Sequence, residues 1–225
     1  MNDSRGNPVG THSREALDAH ERSLWHLVAF YGDPNLTLDT AIAADPGWPL
    51  AKIAKATFLL TVTEPAWVGD ARALIGAAAA QIHGAPLRER AHLAAAQRCA
   101  AGRFTDACEL WDRILTVHPT DMLALISAHL FDFYRGDARN LRLRIARVLP
   151  AWDRDDPLYP FVLGMYAFGL EECNLYPQAE AAGLRACKRC APDQQSREEA
   201  AVRAAIDLLR QSEAPVPLAR LGAAT

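Results

Sequence analysis

Residues 102–119 read Gly102-Arg-Phe104-Thr-Asp-Ala107-Cys-Glu-Leu-Trp111-Asp-Arg-Ile114-Leu-Thr-Val-His-Pro119. Gly102 can turn the chain without a Cβ penalty. Phe104 sets a ring just after that turn. Ala107 is small enough to let one helix touch the helix before it. Trp111 is large enough to fill the space toward a following unit, and Pro119 stops the helix.

Working outward, the next turn is Gly136-Asp137, 34 positions after Gly102. That spacing is the period of the tetratricopeptide helical hairpin, and a Gly, an aromatic, a small residue, a large ring and a closing proline are its pattern. The following turn, Asn174-Leu175-Tyr176, comes slightly late, and the loop from Pro150 to Pro157 absorbs the insertion, with Ala179 at the small position. Upstream, Ala41-Ile-Ala-Ala-Asp45-Pro46 has the ending of a second helix. The expected fold is all-α, a helical-hairpin repeat array of the tetratricopeptide-like α-solenoid kind, with about five helix pairs and one terminal helix. Such units cannot bury their apolar faces alone, so stacking makes one continuous core.

Helical punctuation agrees with this. Asp33-Pro34 and Asp156-Pro157 each place an N-cap acceptor before a first-turn proline, and Pro65, Pro86 and Pro177 fit the same role. Ser196-Arg-Glu-Glu199 matches a capping box. Asp45-Pro46, His118-Pro119 and Ala191-Pro192 each stop a helical run. The pattern predicts helices at 13–31, 35–44, 48–62, 66–82, 87–101, 104–117, 121–135, 137–149, 158–173, 177–190 and 197–212. Residues 1–12 and 213–225 read as flexible tails, polar or Pro/Gly-containing, around a repeat domain at 13–212. Val202, Ile206 and Leu209 give the last helix one apolar stripe, suited to closing the array with a polar outer side.

Of the 225 residues 50% are hydrophobic and 23% charged, an ordinary globular balance. The formal net charge of −3 offers no whole-chain attraction to nucleic acid or an anionic membrane. The five Cys, at 99, 108, 173, 187 and 190, fall mostly inside helical patterns, which argues against a disulfide framework. The start carries no apolar run of the signal-peptide kind, and the Ala-rich stretch 71–82 is interrupted by Arg72 and Gly76. A cytoplasmic location is expected, with no nucleic-acid or membrane partner.

Three stretches carry a resemblance to a known family. They are His129-Leu-Phe-Asp-Phe-Tyr-Arg-Gly-Asp-Ala-Arg-Asn-Leu-Arg142, Val148-Leu-Pro-Ala-Trp152 and Tyr159-Pro-Phe-Val-Leu-Gly-Met165-Tyr-Ala-Phe-Gly-Leu-Glu-Glu172. With Ala44-Asp-Pro-Gly47 and Arg88-Glu-Arg-Ala-His92, they resemble the tetratricopeptide-repeat protein 38 family over roughly residues 24 to 192. The resemblance implies an α-helical repeat fold and no established reaction. After Pro192 the sequence departs from the family, whose members continue with a His- and Ala-rich helix, so only the family's N-terminal part is resembled.

In this repeat type the first helix of each hairpin lines the concave face. That would present Glu89, His92, Ala96 and Cys99 from one unit, and Phe161, Gly164, Met165, Phe168, Glu171 and Glu172 from a later one. Aromatic and sulfur surface beside acidic groups suits an extended peptide with a basic group. The same Met165 and Phe168 also fit plain core packing. Glu89, His92, Met165, Phe168, Glu171 and Glu172 are therefore the expected partner-binding residues.

Other groupings point less far. His129 and Asp132 share a helix face, but no His-x-x-x-His or third ligand accompanies them to hold a metal. Cys187-Lys-Arg-Cys190 is a lone pair without a preceding strand or a second Cys-x-x-Cys. Arg135, Arg139, Arg142, Arg144 and Arg147 make one basic helix, read either as an anion site or as a face solvated and paired to Asp132, Asp137, Asp153 or Asp155. Glu171 and Glu172 are adjacent on a helix and point about 100° apart, which is no facing acid/base pair. No phosphate loop or nucleophile elbow is present.

The expected function is thus a non-catalytic protein- or peptide-binding array that needs no metal or cofactor. The alternative is an enzyme, or a fragment of one, with a pocket inside the array where His129, Asp132, Asp137, Asn140 and Arg142 converge. A third reading is self-association through the exposed end of the array.

Overall fold

A computed structural model describes residues 1–188. The expectations for the helix at 197–212, the Ser196 capping box, Cys190 and the 213–225 tail lie outside the described residues. Among the described residues there are ten α-helices and no strand. They are α1 (Arg14–Ala29), α2 (Pro34–Ala44), α3 (Pro49–Thr61), α4 (Val68–Gln81), α5 (Leu87–Ala100), α6 (Phe104–Val117), α7 (Met122–Arg135), α8 (Ala138–Val148), α9 (Tyr159–Glu171) and α10 (Tyr176–Cys187). Consecutive helices pack as five hairpins, each leaning on the next, so the fold is the helical-hairpin array that the spacing predicts.

Capping sets most of the boundaries. Ser13, Asp33, Asp121 and Asp137 each accept from backbone amides of the first turn that would otherwise lack partners. Asp156-Pro157 differs from expectation. The Asp156 carboxylate accepts from the Leu158 amide at 2.7 Å, closing a turn, and α9 starts only at Tyr159 with Pro160 in its first turn. Pro65 opens a short 3-10 turn, Pro65–Trp67, rather than α4 itself.

The hairpin turns share one backbone device. Gly102, Gly136 and Asn174 take φ of 74°, 69° and 58°, in the left-handed region that ends a helix. The following amide of each, Arg103, Asp137 and Leu175, reaches back to the carbonyl five residues earlier, at 2.9, 2.8 and 2.9 Å. Three turns thus repeat the same closure, two with Gly and one with Asn, the next most tolerant residue there.

Trp111 is fully buried and stacks on Phe131 of α7 at 5.8 Å between ring centroids, and Phe104 stacks on the same ring at 5.1 Å. One sandwich of three rings therefore joins the third hairpin to the fourth. The main core runs through Trp48, Trp111, Leu125 and Phe131, and a second core of Ile53, Leu59, Ile75 and Leu93 lies between α3, α4 and α5. The array also curls on itself. α1 touches α7, and Trp25 of α1 meets Phe161 of α9 edge to face at 6.3 Å.

Residues 1–12, expected as a flexible tail, are built into the fold instead. Their first nine residues fold back through Val9 N–H donating to the Met1 carbonyl at 3.0 Å, and Asn7, Val9 and Thr11 are buried. Arg5 pairs with Glu21 of α1 at 2.8 Å, and Thr11 donates to Asp45 at 2.6 Å. Gly10 N–H donates to Glu89 of α5 at 2.6 Å, and Arg88 donates to the Pro8 carbonyl at 3.2 Å. The polar, Gly/Pro-rich composition that suggests a tail serves a segment whose backbone is gripped by buried charges.

Candidate functional site

Of the expected partner-binding residues, two are placed away from any surface. Glu89 is 0% exposed and His92 is 1% exposed, and Ala96 and Cys99 are buried with them. The Glu89 carboxylate accepts from Trp48 Nε1 at 2.9 Å and from Gly10 N–H. Burial raises its carboxyl pKa against the pull of those two donors. His92 Nε2 lies 2.8 Å from Asp121 Oδ2, an atom that also accepts from Arg88 Nε at 2.6 Å. Burial alone would raise the Asp121 carboxyl, but the Arg88 charge and the His92 contact hold it well below the usual range. This is an internal polar tie between the third and fourth hairpins, closed over by the N-terminal segment, and it offers a partner nothing to touch. His20 lies beside it against Trp48, with neither ring nitrogen hydrogen-bonded among the described residues, and burial followed by the Arg88 and Arg5 charges lowers it to about 3.

Of the polar set of the enzyme alternative, Asp132, Asp137 and Asn140 are joined through Arg135, which pairs with both Asp132 and Asp137. Asp132 is fully buried and takes Arg135 and Arg144, the latter also forking onto Asp112 of α6 at 2.9 and 3.1 Å. Asp137 caps α8 and holds the Asn140 side chain at 2.9 Å. The basic helix is thus partly an ion-pair scaffold, with Asp112, which the sequence did not point to, as its main partner for Arg144 and Arg147. His129, three residues from Asp132, makes a ring contact with Phe168 at 5.8 Å. No group of three His, Cys, Asp or Glu among the described residues could hold a metal ion.

Met165 and Phe168 do come together at a surface feature. α1, α7, α9 and α10 enclose a pocket of about 590 Å³. Its walls include His129, Phe133, Phe161, Met165 and Phe168, with Gly164 leaving open space on the α9 side. The volume lies in the range of ligand-sized clefts, and the wall is aromatic with few polar groups. Met165 is largely buried and Phe168 half-buried, while Phe133 and Tyr134 stay exposed. Glu171 and Glu172 are exposed, one helical turn beyond Phe168 in the chain, and are not among the residues lining the pocket.

Phe30 is one of the wall residues that sequence reasoning missed, with Phe133 and Tyr134 of α7. It ends α1 with φ 48° and is 83% exposed, yet it lines the pocket. A bulky side chain in the left-handed region costs about 1–2 kcal/mol relative to ordinary backbone. The only sequence signal was an aromatic pair, Phe30-Tyr31, just ahead of Gly32 at the end of a helical run.

Fold and pocket together define, among the described residues, an all-helical hairpin array with an aromatic-walled cleft where its first and last described hairpins meet. No family model matches the chain, and no solved structure matches it. No described helix is long and apolar enough to cross a membrane.

Proposed function

We propose that this protein is a non-catalytic helical-repeat protein that binds a protein or peptide segment in the pocket between α1, α7, α9 and α10. The observation that carries the reading is the pocket wall, where Met165, Phe168 and the strained, exposed Phe30 surround open space. Apolar clefts of this kind take anchor side chains, and the exposed Glu171 and Glu172, one turn past Phe168 in the chain, favour a ligand with basic flanks. Membership of the tetratricopeptide-repeat protein 38 family belongs to the same proposal and rests on residues 129–142, 148–152 and 159–172. So does a reducing, cytoplasmic setting, which the thiols of Cys99 and Cys108 suit; burial pushes Cys99 up to about 12 and also raises Cys108.

Gly164→Leu supplies the test. A Cβ at Gly164 meets nothing within 4 Å among the described residues, so there is room there for a larger side chain to begin toward the pocket. Titration of a basic, aromatic-containing peptide should show binding to the parent protein and at least tenfold weaker binding to Gly164→Leu. Reversal of charge at Glu171 and Glu172 should weaken it too, most at low salt. Equal binding by all three proteins would remove the pocket from the reading.

A further inference from the structure

The N-terminal segment is held on α5 in the way that a bound peptide is held. Arg88 and Glu89 are neighbours at the start of α5, and each meets the main chain of the segment. Arg88 Nη1 donates to the Pro8 carbonyl at 3.2 Å, and Glu89 Oε1 accepts from the Gly10 amide at 2.6 Å. One donor and one acceptor thus read a carbonyl and an amide two residues apart. Val9 between them is buried, and Thr11 beyond them is buried with its hydroxyl donating to Asp45 at 2.6 Å. Gly10 fits closely, since a Cβ there would lie 2.9 Å from Glu89 Oε2 and 3.2 Å from Pro86 Cδ. The clamp has anchors of its own besides the segment. Asp121 holds Arg88 Nε at 2.6 Å, and Trp48 Nε1 donates to Glu89 at 2.9 Å. Groups fixed by the scaffold and aimed at main chain make a preorganised site.

We propose that the Arg88–Glu89 clamp is a second recognition site, for an extended segment of the Pro-Val-Gly-Thr kind, which the chain's own residues 8–11 occupy and so block. This site is separate from the pocket between α1, α7, α9 and α10 and does not rest on peptide binding there. The contacts define the ligand. It is an extended main chain with a small apolar side chain at the place of Val9, no side chain at the place of Gly10, and a hydroxyl at the place of Thr11. Recognition through main-chain hydrogen bonds with a few side-chain positions for selection is a common mode for extended peptides. Only His12 and Ser13 separate Thr11 from α1. The tethered segment therefore competes at an effective concentration on the order of millimolar, and a partner segment binds only by displacing it.

The test follows amide exchange by NMR in the isotope-labelled full chain while an unlabelled synthetic peptide of residues 1–13 is added. The peptide captures the clamp whenever the chain's own segment lifts away. Exchange at Val9 and Gly10 should then rise with peptide concentration, about doubling when the peptide equals its Kd for the open clamp, with amides inside α7 unchanged. A peptide carrying Gly10→Val should leave exchange as it was. Exchange at Val9 and Gly10 unmoved by millimolar peptide overturns the inference, and so does an equal effect of both peptides. A full chain carrying Gly10→Val supplies the second readout. Its own segment no longer fits the clamp, so it should bind the fluorescently tagged parent peptide at least tenfold tighter than the parent chain does. Equal binding by the two chains overturns the self-blocking. The exchange measurement on the parent chain decides the matter even if the Gly10→Val chain folds poorly.

Discussion

Arg88 Nε and Asp121 Oδ2 lie 2.6 Å apart, 33 residues apart in the chain, both almost wholly excluded from solvent. The two residues open successive first helices, so the pair spans one repeat. Asp121 also caps α7 through the Ala124 amide at 3.0 Å, and Arg88 also holds the Pro8 carbonyl. One carboxylate therefore fixes a helix start, a neighbouring hairpin and, through Arg88, the N-terminal segment.

Removing one member of a buried pair strands the other charge, which costs roughly 3–5 kcal/mol. Arg88→Ala should therefore lower the urea midpoint sharply and release residues 1–11 to proteolysis. Replacing Arg88 and Asp121 together should cost less than the sum of the single changes. Additive single and double variants would show that the pair carries no coupling.

Stability should fall on mild acidification. His20 and His129 are lowered to about 3 and about 4 from an unfolded value of 6.5. Between 6.5 and those values the unfolded chain binds protons that the folded chain does not, so stability is full above 6.5 and is lost as pH falls. Each site contributes a slope of up to about 1.4 kcal/mol per pH unit in that window. Below the usual carboxylate range Asp121 and Asp112, both lowered, add to the loss. Urea unfolding at pH 8, 7, 6 and 5 should show a plateau followed by a decline, and His20→Gln should make the decline shallower. A midpoint constant from pH 8 to 5 would contradict the burial of both rings.

Two glycines of α9 should respond in opposite directions. A Cβ on Gly169 would sit 2.7 Å from the backbone of Leu141 and Arg142, so α8 and α9 approach there with no room for a methyl. Gly169→Ala should destabilise the fold by about 1–3 kcal/mol. Gly164→Ala meets open space and should stabilise by about 0.5–1 kcal/mol, the usual helix preference for Ala. Thermal melts of both variants check the pair.

Phe30 should show a trade of stability against binding. Phe30→Gly relieves a left-handed bulky residue and should raise stability by about 1 kcal/mol. The same change removes a ring from the pocket wall and should weaken peptide binding several-fold. A variant both less stable and unchanged in binding would mean that Phe30 serves packing alone.

Much of the fold was legible because helices announce their ends. Asp33 at a cap, and Gly102 and Gly136 at turns, are local signals that need no knowledge of the rest of the chain. Trp111 was placed correctly because its role depends on the next repeat at a known period. The site was harder to read. Position on a first helix predicts that Glu89 faces inward, but the N-terminal segment that covers it is 79 residues away at Gly10, and no periodicity links them. α9 is apolar nearly all round, so spacing could not say which of its residues pack and which line open space. Phe30 escaped notice because its meaning lies in a backbone angle.

The most direct test is hydrogen exchange of the full chain, free and saturated with the basic, aromatic-containing peptide. Slowed exchange is predicted in residues 126–134 and 160–172, around His129 and Phe168, with α5 unchanged. Protection centred on residues 87–100, or none anywhere at saturation, would contradict a binding site in this pocket.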